Sequence, residues 1–261
     1  MTRMRMWIYG AGLLGLAIAL VLAATPTTTV TAAGPANCQG LPTGGQLEQM
    51  LIDAPTAGTY GESGGLFSGA RMWASVVNRN GEVCDTVTNT VDPSQVWPGS
   101  QSIAKSKAYT ANAFSLDGLA LSTALLYTFT QPGHSLWSLG QANPFNPDSL
   151  AALGSGGGKK KKKAKEEIAG GMIFFGGGVP LYDLGGSIIG GLGVSGDTSC
   201  TDHEIAKRVR DLAGLNPPGG MLVDDITYSG ADGASVFTHP LCLNTWRNNV
   251  SLGDEAVAVG Y

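Results

Sequence analysis

The side chains in this sequence that could hold a haem iron are three histidines, His134, His203 and His239, while the four cysteines, Cys38, Cys84, Cys200 and Cys242, read as disulfide partners, with metal ligation the weaker reading. Haem iron is commonly held by an axial His, Cys, Met or Tyr. His134 follows Pro132-Gly133 and precedes Leu136 and Trp137. That places it at a helix exit beside apolar and aromatic groups able to cover a porphyrin face, and makes it the first candidate axial ligand. A loop histidine with no ligand is the plain alternative. His203 stands between Asp202 and Glu204, in the first turn of an expected helix, where acidic neighbours favour the imidazolium and offer oxygen ligands. Its alternative role is in the helix cap. His239, before Pro240 and near Cys242, reads as a tail residue tied down by a disulfide.

A second set could hold an anion. Lys105 and Lys107 stand in a motif otherwise made of small residues, Lys105-Ser106-Lys107-Ala108. If that helix packs on a sheet, Lys107 can reach the glycine turn at Gly177 and Gly178 and hold a carboxylate or a haem propionate. Solvated lysines on an outer face are the alternative. Asp202 and Glu204 complete the expected ligand-binding set, although two residues apart on a helix they point away from each other, and Asp202 also suits an N-cap. Gly176-Gly177-Gly178 lets backbone approach another group closely. It is not a nucleotide loop, because no Lys-Ser or Lys-Thr follows, and Gly154 to Lys160 fails the same pattern.

Gly61-Glu62-Ser63-Gly64-Gly65 satisfies the G-x-S-x-G spacing of a serine nucleophile. A nucleophile elbow needs an apolar strand before it and a helix after it, whereas Pro55 and Gly58 interrupt the preceding stretch. No H-E-x-x-H or paired-carboxylate arrangement supports a metalloprotease or a glycosidase.

The cysteines take their meaning from the start of the chain. Arg3 and Arg5 precede an uncharged stretch from Trp7 to Ala24, and the small residues Thr31, Ala32 and Ala33 follow. This is the order of a secretory signal over residues 1–33, with an uncleaved anchor as the alternative. After cleavage no stable membrane span is expected. In an oxidising compartment, periplasmic or extracellular, four cysteines without a C-x-x-C pair most simply form two disulfides. Of the three connectivities, Cys38 with Cys84 and Cys200 with Cys242 would each staple a chain end onto the centre. The 261 residues carry a formal net charge of −4 with 14% charged residues, which argues against a nucleic-acid binder and against a disordered chain.

These residues need elements to position them. Gln46 to Ala54 has the spacing of a short amphipathic helix within an N-terminal extension, 34–69. Met72 to Asn78 and Glu82 to Asn89 form a hairpin about Asn80-Gly81. Ser100 to Ser115 is a helix, and Leu119 to Phe129 a second, more apolar one. Lys159 to Lys163 lie in a flexible Gly/Lys loop, 154–167. Ile168 to Phe175, Leu181 to Leu184 and Ser187 to Val194 are short strands cut by glycine turns. A helix from Asp202 to Leu215 places Ile205, Val209 and Leu212 on one face and Lys207, Arg208 and Arg210 on the other. Residues 216–261 read as an irregular C-terminal extension. One antiparallel sheet with helices packed against it follows.

Lys105-Ser106-Lys107-Ala108-Tyr109-Thr110-Ala111, Phe175-Gly176-Gly177-Gly178-Val179-Pro180-Leu181, Ile189-Gly190-Gly191-Leu192-Gly193-Val194-Ser195-Gly196 and Asp202-His203-Glu204-Ile205-Ala206 together resemble the GlcG/HbpS family of haem-binding-like proteins, over residues 70–215. The resemblance implies an α+β fold, a profilin-like α/β/α sandwich around a five-stranded antiparallel sheet, in a homo-oligomer. It also implies haem as the cofactor, although no residue here aligns with a family haem ligand. The expected function is an exported protein that binds haem or a similar planar or anionic small molecule without catalysis. An accessory subunit that assembles through the same fold is the alternative, and an enzyme on a small oxygenated substrate comes third.

Overall fold

The computed structural model describes residues 38–55, 58, 60–147 and 168–256. The expected signal segment and the Gly/Lys loop therefore lie outside the described residues. Among the described residues no helix is long and apolar enough to cross a membrane.

Helix α1 (Gly45–Asp53) precedes the hairpin of β1 (Trp73–Asn78) and β2 (Val83–Thr88). Its turn contains Gly81 at φ +82°, the backbone state that Asn-Gly supplies. Helix α2 (Ser100–Phe114) follows, its last turn capped by the Arg79 guanidinium, which donates to the Asn112 and Ser115 carbonyl oxygens. A cation on the final carbonyls offsets the negative end of the helix dipole. After the one-turn helix α3 (Leu139–Ala142) come β3 (Gly178–Tyr182), β4 (Ile188–Ser195) and helix α4 (Ser199–Leu212). A short helix α5 (Ser229–Asp232) and a hairpin, β5 (Thr245–Arg247) with β6 (Val250–Gly253), close the chain.

The main sheet is antiparallel, in the order β2-β1-β4-β3, with Val76 opposite Leu192 and Ser75 opposite Gly193. Alternation sorts its two faces. Val76, Leu192 and Val194 pack with Leu47 and Leu51 of α1 and Ile205 and Val209 of α4, while Val77 and Trp73 pack against Ala108 and Ala104 of α2. Helices thus cover both faces. On the α2 side, Gly191 and Gly193 allow direct backbone contact: a Cβ at either position would run into the Ala108 or Ala104 carbonyl oxygen.

Four expectations are corrected. Among the described residues the sheet has four strands and a separate two-stranded ribbon, not five strands. Ile168 to Phe175 makes only isolated bridges, at Ile168 and Gly170, because Gly170 and Gly171 both take positive φ, +62° and +69°, and break the pleat. Leu119 to Phe129 forms two 3-10 turns, Thr123–Leu126 and Thr128–Thr130, rather than an α-helix. Its threonine hydroxyls donate outward, Thr123 to Phe175 O and Thr128 to Thr238 O, each at 2.7 Å. Helix α4 begins at Ser199 with Thr198 as its cap, so Asp202 lies inside the first turn with its carboxylate directed elsewhere. Finally, the described part of the C-terminal segment holds regular structure: Asn248 and Asn249, at φ +52° and +64°, form the turn of a hairpin.

Both disulfides are the ones that staple the ends, Cys38–Cys84 and Cys200–Cys242, closing separations of 46 and 42 residues. Each contributes roughly 3–4 kcal/mol by restricting the unfolded chain.

Candidate functional site

The anion-holding set assembles only in part. Lys107 points from α2 through the glycine-lined gap and is fully buried. Its Nζ donates to Asp202 Oδ2 at 2.6 Å and to Val194 O at 3.1 Å, and lies 5.0 Å from the Phe175 ring centroid. Gly177, at φ +117°, is the close neighbour: a Cβ there would meet Lys107 Nζ, Val194 O and Asp202 Cβ. A Cβ at Gly178 would meet Lys107 O. Lys107, Asp202, Gly177 and Gly178 therefore form one packed knot, in which the carboxylate of this chain occupies the lysine. Burial pushes the Asp202 carboxyl up to about 6, against the opposing charge of Lys107, and pushes the ammonium down. Glu204 lies apart from this knot, as the helical spacing requires, and pairs with Lys207 at 2.7 Å and Arg208 at 3.0 Å.

Glu204 belongs to a second network along the charged face of α4. Lys207, Arg208 and Arg210 are all fully buried. Arg208 donates to the carbonyl oxygens of Ala54, Tyr60, Gly61 and Glu62, clamping the N-terminal loop. Arg210 makes a two-pronged pair with Asp224, at 2.9 and 2.6 Å. Lys207 Nζ donates to Asp225 Oδ1 at 2.9 Å and to Asn248 Oδ1 at 2.7 Å. Burial opposes the charge on Asp225, but His203 and Lys207 outweigh it and hold this carboxyl well below the usual range.

His203 is buried beside Asp225. Its Nε2 lies 3.1 Å from the Ile226 amide nitrogen and 3.4 Å from Asp225 Oδ1. His134 sits on an exposed turn, where its amide donates to Gln131 O. Ser63, the serine of the G-x-S-x-G match, is buried, and its Oγ has no hydrogen-bond partner among the described residues.

The segment pinned by Arg210, Lys207 and His203 forms a wall of a cavity of about 580 Å³. Leu121, Leu125, Leu222, Ile226 and Phe237 supply apolar walls, and Asp225, Asp232, Arg247 and Asn248 the polar ones. The volume falls in the range of cofactor sites, about 300–1,000 Å³. Arg247 is fixed by two bonds to Asp232, at 2.6 and 2.9 Å, and by one to Ile226 O at 2.9 Å, and its guanidinium lies over the Tyr228 ring. The sequence reading missed Asp224, Asp225 and Arg247. The Asn248-Asn249 turn was the one local sign of structure there.

A smaller cavity of about 330 Å³ opens beside the second disulfide, lined by Tyr127, Phe175, Ser199, His239, Cys242 and Glu255 among others. His239 is buried, with Tyr127 at 4.9 Å between ring centroids. Burial holds this imidazole down at about 4, against the hydrogen bond to Pro240.

Residues 52–211 match a family model described as haem degrading protein HbpS-like. Among solved structures, the chain is similar to the Klebsiella pneumoniae protein ORFY, of DUF336, at 21% identity over 64% of this chain and 88% of that one, with a TM-score of 0.42. It is similar to the PduOC:haem complex at 21% identity over 67% and 98%, with a TM-score of 0.44. A double mutant of Streptomyces reticuli HbpS aligns at 19% identity over 75% and 98%, with a TM-score of 0.36. No curated protein matches the sequence.

Proposed function

The chain belongs to the HbpS-like family, and from that premise we propose that it is an exported protein that binds haem, or a comparable planar and partly anionic molecule, without transforming it. The observation that carries this reading is the cavity of about 580 Å³ built between the Thr123–Leu126 turn and the C-terminal segment. Its residues fit a porphyrin carboxylate: Leu121, Leu125, Leu222 and Phe237 offer apolar contact to a ring, and Arg247 stands at the rim to meet the acid. A ligand carboxylate would share Arg247 with Asp232, whose side chain is 31% exposed and able to swing aside. Bound haem would bring iron-centred redox and gas-ligand chemistry; the protein's part is to bury the ring and fix its orientation.

In this reading the Lys107–Asp202 knot and the α4 network position the walls and do not touch the ligand. His203 lies behind Asp225 and Ile226 of the wall, and His134 is the exposed histidine. Two disulfides support an oxidising compartment, and assembly as a homo-oligomer is part of the proposal. Titration with hemin should produce a Soret band at unit stoichiometry. Iron-free protoporphyrin, read by fluorescence, should bind with similar affinity, because the grip comes from walls and Arg247. No Soret band and no protoporphyrin binding would remove the proposal. A band lost only on His134→Ala or His203→Ala would move the grip to an iron–histidine bond.

A further inference from the structure

Cys200, Cys242 and His239 place three potential metal-ligand atoms within 4.8 Å of one another, all on buried residues. Two of these residues, His239 and Cys242, lie beyond the 52–211 family match. We propose that this cluster is a reducible metal site: with its disulfide opened, the two thiolates and the imidazole bind one zinc-like ion.

The local chemistry is arranged for it. His239 Nδ1 lies 2.7 Å from Pro240 O, which makes that nitrogen the donor and leaves the lone pair on Nε2. A backbone carbonyl holding the far ring nitrogen is the usual support of a ligating histidine. Nε2 lies 3.5 Å from Ser199 Oγ and accepts the Gly176 amide proton at 3.3 Å, a bond the metal would displace. Cys242 Sγ already receives the Cys200 amide at 3.2 Å and lies 3.3 Å from Ser199 Oγ. Both donors favour a thiolate at that sulfur. Tetrahedral zinc, with bonds of about 2.3 Å to sulfur and 2.0 Å to nitrogen, sets its ligand atoms roughly 3.5–3.8 Å apart. The required adjustment is therefore about an ångström at each ligand. His239 and Cys242 both line the cavity of about 330 Å³, which gives the ion a route in and leaves the fourth position to water, as in open three-ligand sites.

The redox step balances with a dithiol as reductant. Two electrons and two protons pass to the Cys200 and Cys242 sulfurs while the dithiol closes to its own disulfide. The metal then displaces both thiol protons to solvent. The oxidised protein is the metal-free state of this site.

Co²⁺ added without oxygen to the phosphine-reduced protein tests it, with near-UV dichroism as the check on fold. One Co²⁺ per chain should give a thiolate charge-transfer band and the visible bands of tetrahedral cobalt. The oxidised protein should give neither, and Cys38→Ser/Cys84→Ser should keep both. His239→Ala should weaken binding by about tenfold or more and shift the visible bands. Independently of any variant, Zn²⁺ should protect Cys242 of the reduced wild-type protein from iodoacetamide and leave Cys84 reactive. The proposal is overturned by any of four results: no charge-transfer band in reduced, folded protein; loss of the band in Cys38→Ser/Cys84→Ser; bands unchanged in His239→Ala; or reduction that unfolds the chain and that metal does not reverse.

Discussion

Removing the Asp224 carboxylate strands a buried cation. Asp224 and Arg210 are both fully buried, and an arginine cannot escape by losing its proton. In Asp224→Ala the guanidinium keeps only Pro180 O and Met221 O as acceptors, at 3.3 and 3.0 Å. Breaking a buried pair in this way costs about 3–5 kcal/mol, roughly a fifth or more of the stability of a typical domain, about 5–15 kcal/mol. At about 2–4 °C per kcal/mol for a domain of this size, the melting temperature should fall by roughly 6–20 °C. Replacing both partners, Arg210→Met/Asp224→Leu, removes the stranded charge and should recover most of the loss. Urea unfolding followed by tryptophan fluorescence measures all variants, with an unchanged slope marking a two-state comparison. A cost below about 1 kcal/mol for Asp224→Ala, or a double variant that loses the full sum of the single ones, would refute the claim that this pair anchors the C-terminal segment to α4.

Other predictions concern packing, pH and ligand grip. Gly193→Ala should destabilise by about 1–3 kcal/mol or more, measured in the same urea assay, because the new methyl meets the Ala104 carbonyl and must push α2 off the sheet. Asp225 ionises far more readily in the folded protein than in the unfolded chain. Its charge therefore stabilises above about pH 4, and this contribution is lost as pH falls below that value. Asp225→Asn should accordingly show a flatter acid limb between about pH 4 and pH 2, read by thermal melts across that range. Arg247→Ala should weaken protoporphyrin binding by about tenfold, or about 1.4 kcal/mol, in a fluorescence titration, while esterifying the porphyrin carboxylates should erase the difference between variant and wild type.

How much of this was legible in the sequence depended on the range of the forces involved. The β1–β2 hairpin could be read because Asn80-Gly81 fixes its turn locally, and α2 because its small residues recur at helical spacing. The short strands were visible as apolar runs, but the expected fifth failed where Gly170 and Gly171 demand positive φ. The charged face of α4 carried the opposite lesson. Lys207, Arg208 and Arg210 look solvated by periodicity, since nothing within one turn foretells a partner. They are buried because Asp224, Asp225 and the carbonyls of Ala54, Tyr60, Gly61 and Glu62 arrive from distant segments. The same gap hides the larger cavity, whose C-terminal wall reads as irregular from sequence alone. Lys107 and Asp202 stood together in the expected ligand set, and the sequence could not tell that each would occupy the other.

The central claim is that the ligand lies between the Thr123–Leu126 turn and the C-terminal segment. Its most direct test is a hemin titration of Leu222→Trp, which plugs that cavity from a side chain 54% exposed and should leave the fold intact. The account predicts unit-stoichiometry binding by the wild-type protein and a loss of at least about tenfold in the plugged variant. Equal affinity in both would place the ligand elsewhere and contradict it.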